Sequence, residues 1–379
     1  MTDFDREGQM EEIPTITVAR LQEMLERGDP VAVLDVRRSD EREEWFIPNS
    51  LHVDASDDLR AGDMNSLAAA ELQRDRMVVT VCARGNTSKI AARELQRRGF
   101  NALSLAGGMR AWSLAWNSAE VPVAGNAARI VQLRRTGKGC LSYLIVGPEG
   151  EAAVIDASLE PEVYLELAEA HGSSIVAVLD THVHADHLSR GRPLAERAGA
   201  TLWLAPTDRV HFPYSELREG HVLEVGGATI EAIHTPGHTP ESTSFRVGQA
   251  LFTGDTLFLS AVGRPDLETD AEGARGRAHD LYRSLNRLRE LPAGTIVLPG
   301  HTSEPIQFDG RAIAGTLEEV GRRLDVLNLP ETEFIATILD RIPPTPPNHD
   351  QIVQLNEAGE FPDTDPTELE AGANRCAVS

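Results

Sequence analysis

Apolar runs and amphipathic stretches alternate along the first third of the chain. Residues 17–28 show one apolar helical face, with a threonine at the start that can cap a helix and a glycine at the end that stops one. Residues 31–36 and 77–81 are apolar runs typical of buried strands, and residues 89–98 predict a further helix. Strands that alternate with helices predict an α/β domain with a parallel sheet and flanking helices.

Beyond residue 126 the same periodicities predict a second α/β domain that is richer in strands. Strands are predicted at residues 130–133, 141–146, 152–155, 175–179 and 295–298, and helices after Pro161 and over residues 313–327. Two mixed sheets covered by helices fit this count. We place a linker at residues 121–126, which gives domains 1–125 and 126–379. We expect the last dozen residues, including Cys376, to be disordered.

The predicted strand at residues 175–179 leads directly into three histidines and an aspartate. Three later strand ends bring further histidine or aspartate side chains beside glycine and proline turns. The residues that this pattern singles out are His182, His184, Asp186, His187, His238, Asp255 and His301. Because imidazole and carboxylate groups are costly to bury unpaired, the pattern predicts a metal site collected from strand-end loops.

Composition narrows the classes of function. The chain has 379 residues, enough for two domains, and its formal net charge of −23 argues against nucleic acid and anionic membrane surfaces as partners. No segment approaches the ~20 apolar residues of a membrane span, and the polar amino terminus is unlike a signal peptide. Three widely spaced cysteines make no disulfide framework, so we expect a cytoplasmic protein. Homo-oligomer formation stays open.

Cys82 follows a predicted strand and begins a six-residue loop that ends at a helix. With Gly85 inside this loop, backbone N–H groups can converge on one point, where the helix dipole adds positive charge. Arg84 can add a further charge. This setting stabilises a thiolate and predicts a nucleophile, although a lone strand-end cysteine is also common in cores. Cys140, in an apolar run, and Cys376, in a polar tail, suggest no activated thiolate.

Residues 13–123 resemble the rhodanese family of sulfurtransferases. The resemblance rests on Asp35-Val36-Arg37, on the loop after Cys82, and on Gly107-Gly108-Met109-Arg110-Ala111-Trp112. It implies a domain that carries sulfane sulfur as a persulfide on Cys82. Thr87 stands where many active members have arginine, so we expect slow transfer to cyanide. The sulfur donor, thiosulfate or a persulfide, stays open.

The segments that carry histidine and aspartate resemble the metallo-β-lactamase fold superfamily, an αββα sandwich with its metal site in strand-end loops. Its general scheme holds two metal ions, commonly zinc, and a hydroxide that hydrolyses esters, lactams or thioesters. Residues 128–301 look most like the persulfide dioxygenases of this superfamily, on stretches that include residues 252–257 and 263–267. In that family the ligands of one iron(II) ion correspond to His182, His238 and Asp255. The resemblance places His184, Asp186, His187 and His301 around these ligands or, in a dinuclear centre, on a second metal.

The resemblance implies that O2 oxidises glutathione persulfide, or a related small persulfide, to sulfite and glutathione. Sulfite and a persulfide give thiosulfate, so the two domains would share intermediates. The alternative enzyme is a dinuclear zinc thioester hydrolase of glyoxalase II type, and a third class is a non-catalytic sulfur sensor or scaffold.

Arg264 is predicted to bind the anionic glutathione moiety, unless it fastens its own loop to an acidic neighbour. Thr302 and Ser303, where the family commonly has Asp-Tyr, are expected to reshape the thiol pocket.

Overall fold

The computed structural model describes residues 13–123, 128–346, 348–361, 365–372 and 374–378. The chain divides into two compact units, Met1–Ala115 and Trp116–Ser379. This division precedes the boundary predicted at residue 125, because Asn117–Val121 is a strand that pairs antiparallel with Arg129–Arg134 in a sheet of the second unit. Residues 124–126 of the predicted linker lie outside the described residues.

The first unit contains a parallel sheet with helices around it. Its elements in chain order are β1 (Thr15–Ile16), α1 (Val18–Arg27), β2 (Val31–Asp35), α2 (Ser39–Glu44), β3 (Leu51–His52), α3 (Ser56–Ala61), a 3-10 turn (Asn65–Ala69), β4 (Met77–Val81), α4 (Asn86–Arg97), β5 (Ala102–Leu105) and α5 (Gly108–Trp112). The strand order is β1-β5-β4-β2-β3, and every neighbouring pair is parallel. The predicted parallel α/β domain is thereby confirmed.

Local chemistry explains where α1 begins and ends. The Thr17 hydroxyl accepts a hydrogen bond from the Arg20 backbone N–H at 3.3 Å, which satisfies one of the free donors of the first turn. Gly28 ends the helix in a left-handed conformation, with φ of 68°, that glycine adopts without steric cost. Leu21 and Met24 are buried on its inner face, as predicted.

The second unit is longer and contains more strands. Its elements are β6 (Asn117–Val121), β7 (Arg129–Arg134), β8 (Leu141–Val146), β9 (Glu151–Ile155), α6 (Pro161–Ala170), β10 (Ser174–Leu179), α7 (Gly191–Ala198), β11 (Thr201–Leu204), β12 (Ser215–Glu216), β13 (Val222–Val225), β14 (Ala228–His234), β15 (Thr243–Val247), β16 (Ala250–Gly254), β17 (Val262–Gly263), α8 (Ala271–Arg289), β18 (Ile296–Pro299), β19 (Gly315–Thr316), α9 (Leu317–Arg323), a 3-10 turn (Asp325–Asn328), α10 (Glu331–Asp340), α11 (His349–Ala358), α12 (Thr367–Glu370) and β20 (Ala377–Val378).

Two mixed sheets of the second unit pack face to face. One has the order β12-β11-β10-β9-β8-β7-β6, and the other has the order β13-β14-β15-β16-β18-β19. Apolar side chains such as Tyr143, Leu179 and Phe252 fill the core between the sheets. Helices α6 and α7 cover the first sheet, and α8 and α10 contribute to a separate apolar cluster with β18 of the second sheet. This arrangement confirms the αββα sandwich. Among the described residues, we find no helix with the length and apolarity needed to span a membrane.

Two predictions about the C-terminal third were wrong. The helix predicted over residues 313–327 begins only at Leu317, because Thr316 and Glu319 form a capping box that fixes its start. The residues before it form β19, which pairs with β18. The tail is also ordered where it is described: β20 pairs antiparallel with β17, and Cys376 is buried.

Candidate metal centre and cysteine loop

The metal-site residues predicted from sequence come together at the carboxyl ends of four strands. Three histidines and Asp186 follow β10, His238 follows β14, Asp255 follows β16, and His301 follows β18. None of the seven side chains predicted for this site is more than 4% exposed. Folding therefore places a dense set of imidazole and carboxylate groups in a dry environment, where each needs a partner.

His182, His238 and Asp255 form one group whose ligand atoms lie within 4.8 Å of one another. Oδ2 of Asp255 is 3.8 Å from Nε2 of His182 and 3.7 Å from Nε2 of His238. Burial lowers the pKa of both histidines below the ordinary value, and for His182 a neighbouring histidine adds to the effect. Both imidazoles are therefore neutral at physiological pH, which is the state that binds a metal.

Hydrogen bonds on the far side of each ring orient these imidazoles. Nδ1 of His182 lies 2.8 Å from the Thr181 hydroxyl, which itself donates to Asp156. Nδ1 of His238 donates to the backbone carbonyl of Arg264 at 2.8 Å. Each Nε2 is consequently left with a lone pair that faces Asp255, which is the usual arrangement of metal-binding histidines.

The next set of contacts runs from Asp255 through His301 to Asp186. Nδ1 of His301 is 2.5 Å from Oδ1 of Asp255, and its Nε2 is 2.8 Å from Oδ2 of Asp186. Nδ1 of His187 lies 2.9 Å from the other oxygen of Asp186. Burial opposes the charged form of His301, but the two carboxylates raise its pKa well above the ordinary value. His301 is thus held as a cation between two carboxylates.

Buried polar atoms without partners test whether the first group fits a metal. Nε2 of His182 and Oδ2 of Asp255 are inaccessible and have no hydrogen-bond partner among the described residues. Buried acceptors left unpaired cost about 1–3 kcal/mol each, so a folded protein retains them where something else binds there. Two neutral imidazoles and one carboxylate fit a divalent transition metal and leave open coordination positions.

Glycine permits the close approach of the loops around Asp255. A Cβ atom on Gly263 would lie 2.0 Å from the Asp255 carbonyl oxygen and 2.9 Å from Cβ of His238. A Cβ atom on Gly300 would lie 2.7 Å from Oδ1 of Asp255. No larger residue fits at either position without moving a proposed ligand.

The remaining predicted residues fall into two further groups. Cys140 joins Asp186, His187 and His301, and a separate group contains Asp156, Asp180 and His184. Nε2 of His184 lies 3.3 Å from Oδ1 of Asp156, and the His184 ring lies beside that of His182, with 4.3 Å between the ring centroids. Burial and the nearby Asp156 raise the pKa of Asp180 to about 6.

Cys140 corrects a sequence-based expectation. Its thiol lies 3.3 Å from Oδ2 of Asp186. Burial and Asp186 disfavour its ionisation, but Arg135 and His187 outweigh them and lower its pKa to about 6. The sequence shows only an apolar run around Cys140. Arg135 lies at the other end of the same turn, whereas His187 comes from the distant loop after β10.

The C-terminal segment also contacts the metal centre, and no local sequence pattern indicates this contact. The Asn374 side chain donates to Oδ2 of Asp186 at 3.2 Å. The Cys376 thiol lies against Asp255, and burial raises its pKa well above the ordinary value. Cys376 is therefore a neutral thiol, as expected, but it lies at the metal centre rather than in a disordered tail.

Arg264 has contacts that match the second of its two predicted roles. Its guanidinium is buried and donates to both carboxylate oxygens of Asp266 at 2.8 Å, and also to the carbonyls of Pro344 and Arg375. These bonds fasten the loop whose carbonyl orients His238. These contacts favour the loop-fastening role, and the contact of Arg264 with glutathione stays a prediction.

The cysteine loop of the first unit is compact. The Cys82 sulfur accepts from the Gly85 N–H at 3.2 Å and donates to the Ser88 hydroxyl at 3.3 Å. Gly85 has φ of 84°, and α4 begins at the next residue, so the loop ends at a helix amino terminus as predicted. Arg84 is exposed in this loop, and its role in anion binding stays a prediction.

A cavity of about 470 Å³ opens beside His301. Thr302, Ser303 and Asn374 line the end near the metal centre, and Arg311 and Arg323 add positive charge to its wall. Both arginines are exposed to solvent. The cavity has room for a small thiol.

Each of the two units contains a segment that matches a protein-family model. Residues 135–301 match the family model described as the metallo-beta-lactamase superfamily. Residues 17–115 match the model described as the rhodanese-like domain. All seven residues of the metal centre fall within the first match, and Cys82 falls within the second.

The individual relatives include both a hydroxyacylglutathione hydrolase and ETHE1. A hydroxyacylglutathione hydrolase of Xylella fastidiosa is 35% identical over 162 residues, which are 42% of this chain and 58% of the hydrolase. A metallo-beta-lactamase structure from Staphylococcus aureus is 26% identical with a TM-score of 0.57, over 62% of this chain and 74% of that one. The ETHE1 structure from Myxococcus xanthus is 31% identical with a TM-score of 0.54, over 61% of this chain and 98% of that one. This chain therefore spans little more than half of the hydrolase and nearly all of ETHE1.

Proposed function

The chain belongs to the metallo-beta-lactamase superfamily and carries a rhodanese-like domain, and from this premise we propose that it is an iron(II) persulfide dioxygenase coupled to sulfur transfer. The proposed substrate is glutathione persulfide or a related small persulfide, and the products are sulfite and the thiol. One persulfide, one O2 and one water give one thiol, one sulfite and two protons. The likeness to ETHE1 supports this proposal, and the likeness to hydroxyacylglutathione hydrolase supports the alternative treated below.

One observation carries the proposal: His182, His238 and Asp255 form a compact, buried set of two imidazoles and one carboxylate. His301, which would hold a second metal in a dinuclear centre, is hydrogen-bonded to Asp255 through Nδ1, and its Nε2 forms an ion pair with Asp186 at 2.8 Å. Two histidines and one carboxylate are the ligand set of non-haem iron(II) oxygenases, which keep positions open for substrate and O2. The bound iron would supply the one-electron chemistry that O2 requires.

The surrounding residues have separate roles in this reaction. Thr181 and the Arg264 carbonyl hold the two imidazoles in the tautomer that binds metal. His301, as a cation, fixes the carboxylate of Asp255 and places positive charge beside a persulfide anion. The buried position of all these groups excludes bulk water, which strengthens each charge interaction.

The cavity beside His301 is the proposed binding site for the organic part of the persulfide. Arg311 and Arg323 can pair with the carboxylates of a glutathione moiety, and Arg264, already bonded to Asp266, is the weaker candidate for this contact. Thr302 and Ser303, in place of the Asp-Tyr common among persulfide dioxygenases, leave this part of the wall lined by small side chains.

In the rhodanese-like domain, Cys82 is the proposed sulfur carrier. Its thiolate attacks the outer sulfur of a persulfide or of thiosulfate, forms a cysteine persulfide, and releases the thiol or sulfite. Attack by sulfite on this cysteine persulfide then gives thiosulfate and regenerates Cys82. The N–H of Gly85 supports negative charge on the cysteine sulfur.

A dinuclear zinc thioester hydrolase is the second candidate function. The 35% identity to hydroxyacylglutathione hydrolase favours it, and Cys140, Asp186, His187 and His301 form a second group of donor atoms within 4.8 Å of one another. This candidate requires that His301 leave Asp255 and Asp186 to bind a metal.

Parallel assays on one preparation separate the two candidates. We expect O2 uptake with glutathione persulfide, sulfite as the product, and little hydrolysis of S-lactoylglutathione. Asp255→Ala serves as the metal-free control in both assays. Rapid thioester hydrolysis without O2 uptake would establish the hydrolase instead.

A cytoplasmic location and the oligomeric state stay predictions.

A further inference from the structure

We propose that Glu370, far from the metal-binding loop in sequence, is a positioning residue for residues 180–190. This inference concerns how the chain holds its metal centre, so it stands whichever reaction the metal serves. It goes beyond the superfamily match, which ends at residue 301.

The Glu370 carboxylate is fully buried on α12 and bonds directly to the loop. Its Oε1 accepts from the Leu188 backbone N–H at 2.9 Å and from Arg190. Its Oε2 accepts from Arg135 at 2.9 Å, and its carbonyl accepts from Lys138 at 2.8 Å. One carboxylate thus joins the loop after β10 to the loop before β8.

The Glu370 carboxylate neutralises the positive charge of two buried arginines. The guanidinium groups of Arg135 and Arg190 are at most 1% exposed, and both pair with Glu370. Removing one partner of a buried ion pair costs about 3–5 kcal/mol, because the other charge stays buried. Burial disfavours the charged form of Glu370, but the two arginines lower its pKa to about 2.

The contacts of Glu370 lead to the proposed metal ligands in short steps. Leu188 directly follows His187, and the His187 ring is bonded to Asp186. Asp186 pairs with His301, which is bonded to Asp255. A displaced Leu188 backbone therefore changes the geometry of a ligand without any direct contact between Glu370 and the metal.

Two asparagines fasten the same loop from the same end of the chain. The Asn356 side chain donates to the carbonyls of His184 and His187 at 2.8 and 2.9 Å. The Asn374 side chain donates to Asp186. Asn356, Glu370 and Asn374 therefore hold the loop at several points, which distinguishes positioning from an isolated surface contact.

The test compares Glu370→Gln with Glu368→Gln, an exposed glutamate on the same short helix. Glutamine keeps an acceptor for the Leu188 N–H but removes the charge. Cobalt(II) affinity is measured by competition with a chelator, the visible spectrum reports the cobalt geometry, and amide exchange of residues 181–190 is followed in metal-free protein. For Glu370→Gln we expect roughly tenfold weaker cobalt binding, an altered spectrum and faster exchange. Glu368→Gln should match the parent in all three.

The inference fails if Glu370→Gln lowers the melting temperature but leaves cobalt affinity within twofold and the spectrum unchanged. If that variant does not fold, Glu370→Asp provides the second test, because it keeps the charge beside Arg135 and Arg190 but shortens the reach to the Leu188 N–H. Weaker cobalt binding by Glu370→Asp supports the inference, and unchanged binding overturns it. Absence of O2 uptake by the parent would reject the proposed reaction but not this role of Glu370.

Discussion

The two units build their sites in different ways. In the first unit, Cys82 and the two groups bonded to its sulfur lie within residues 82–88, on one loop and the helix that follows it. In the second unit, the three proposed ligands come from three strand ends. Thr181 orients the adjacent His182, and the groups bonded to the other two ligands come from other loops. The first site is formed by one loop, whereas the second depends on the folded sandwich and its C-terminal segment.

This difference has consequences for mutation. A substitution in the cysteine loop should have mainly local effects, because the groups bonded to the Cys82 sulfur belong to this loop and to the helix that follows it. A change near the metal centre can act from far along the chain, as Glu370 and Asn374 show. We expect the two chemistries to be separable, and we expect distant substitutions to affect mainly the second.

The largest effect should follow loss of a proposed metal ligand. His182→Ala, His238→Ala and Asp255→Ala each remove one of three ligands, so we expect loss of the metal and a fall in persulfide-dependent O2 uptake by roughly 10³-fold or more. Sulfur transfer by Cys82 should stay within a few-fold of the parent. Metal analysis and both activity assays on the same preparations check this prediction.

His301→Ala provides the matched comparison for those three variants. Because His301 bonds to Asp255 rather than completing the ligand set, we expect most of the metal to remain and activity to fall roughly 10–100-fold. Complete loss of metal from this variant would show that His301 is itself a ligand.

Cys82→Ser should produce the reverse pattern. A serine hydroxyl cannot carry sulfane sulfur, so we expect transfer between thiosulfate or a persulfide and an acceptor to fall by roughly 10³-fold or more. O2 consumption should stay within a few-fold, with sulfite rather than thiosulfate accumulating. If O2 consumption stops while the metal stays bound, Cys82 delivers persulfide to the metal and the two sites are not independent.

A smaller effect concerns the pH dependence of stability. The pKa of Glu370 is lowered in the folded protein from an ordinary 4.5 to about 2. A lowered pKa means that its stabilisation is complete above pH ~5 and is lost as the pH falls through ~2, with a total on the order of 3 kcal/mol. Urea unfolding should show a gap between the parent and Glu370→Gln that narrows from pH 7 to acid, and no such gap for Glu368→Gln. A gap independent of pH would contradict the charge argument.

The smallest predicted effect belongs to Arg264. Arg264→Ala removes the pair with Asp266, which is about a fifth exposed, so we expect a loss of about 2 kcal/mol, less than for a fully buried pair. KM for glutathione persulfide should stay unchanged, because the guanidinium is fully engaged within the fold. Arg275→Ala, an exposed change on α8, serves as the control. A large rise in KM at unchanged stability would restore the contact with substrate.

Sequence reasoning worked where the physical cause is local. The apolar runs predicted β4, β8 and β10, and Gly85 predicted the turn that carries the Cys82 loop to α4. The histidine and aspartate positions at strand ends predicted which residues would meet. Each of these signals lies within a few residues of the feature that it predicts.

The missed features depend on contacts between distant segments. Residues 117–121 were counted with the first domain because the pairing of β6 with β7 leaves little local trace. The sequence of the tail is polar and typical of a flexible segment, yet Glu370 is buried and forms ion pairs with two arginines from distant parts of the chain. The lowered pKa of Cys140 likewise depends on His187, which only the fold brings near, together with Arg135 from the same turn.

The most direct test of the account is the metal content of protein purified without oxygen. One iron per chain, lost in His182→Ala and accompanied by O2 uptake with glutathione persulfide in the parent, is the predicted result. Two tightly bound zinc ions per chain, with rapid thioester hydrolysis and no O2 uptake, would contradict it.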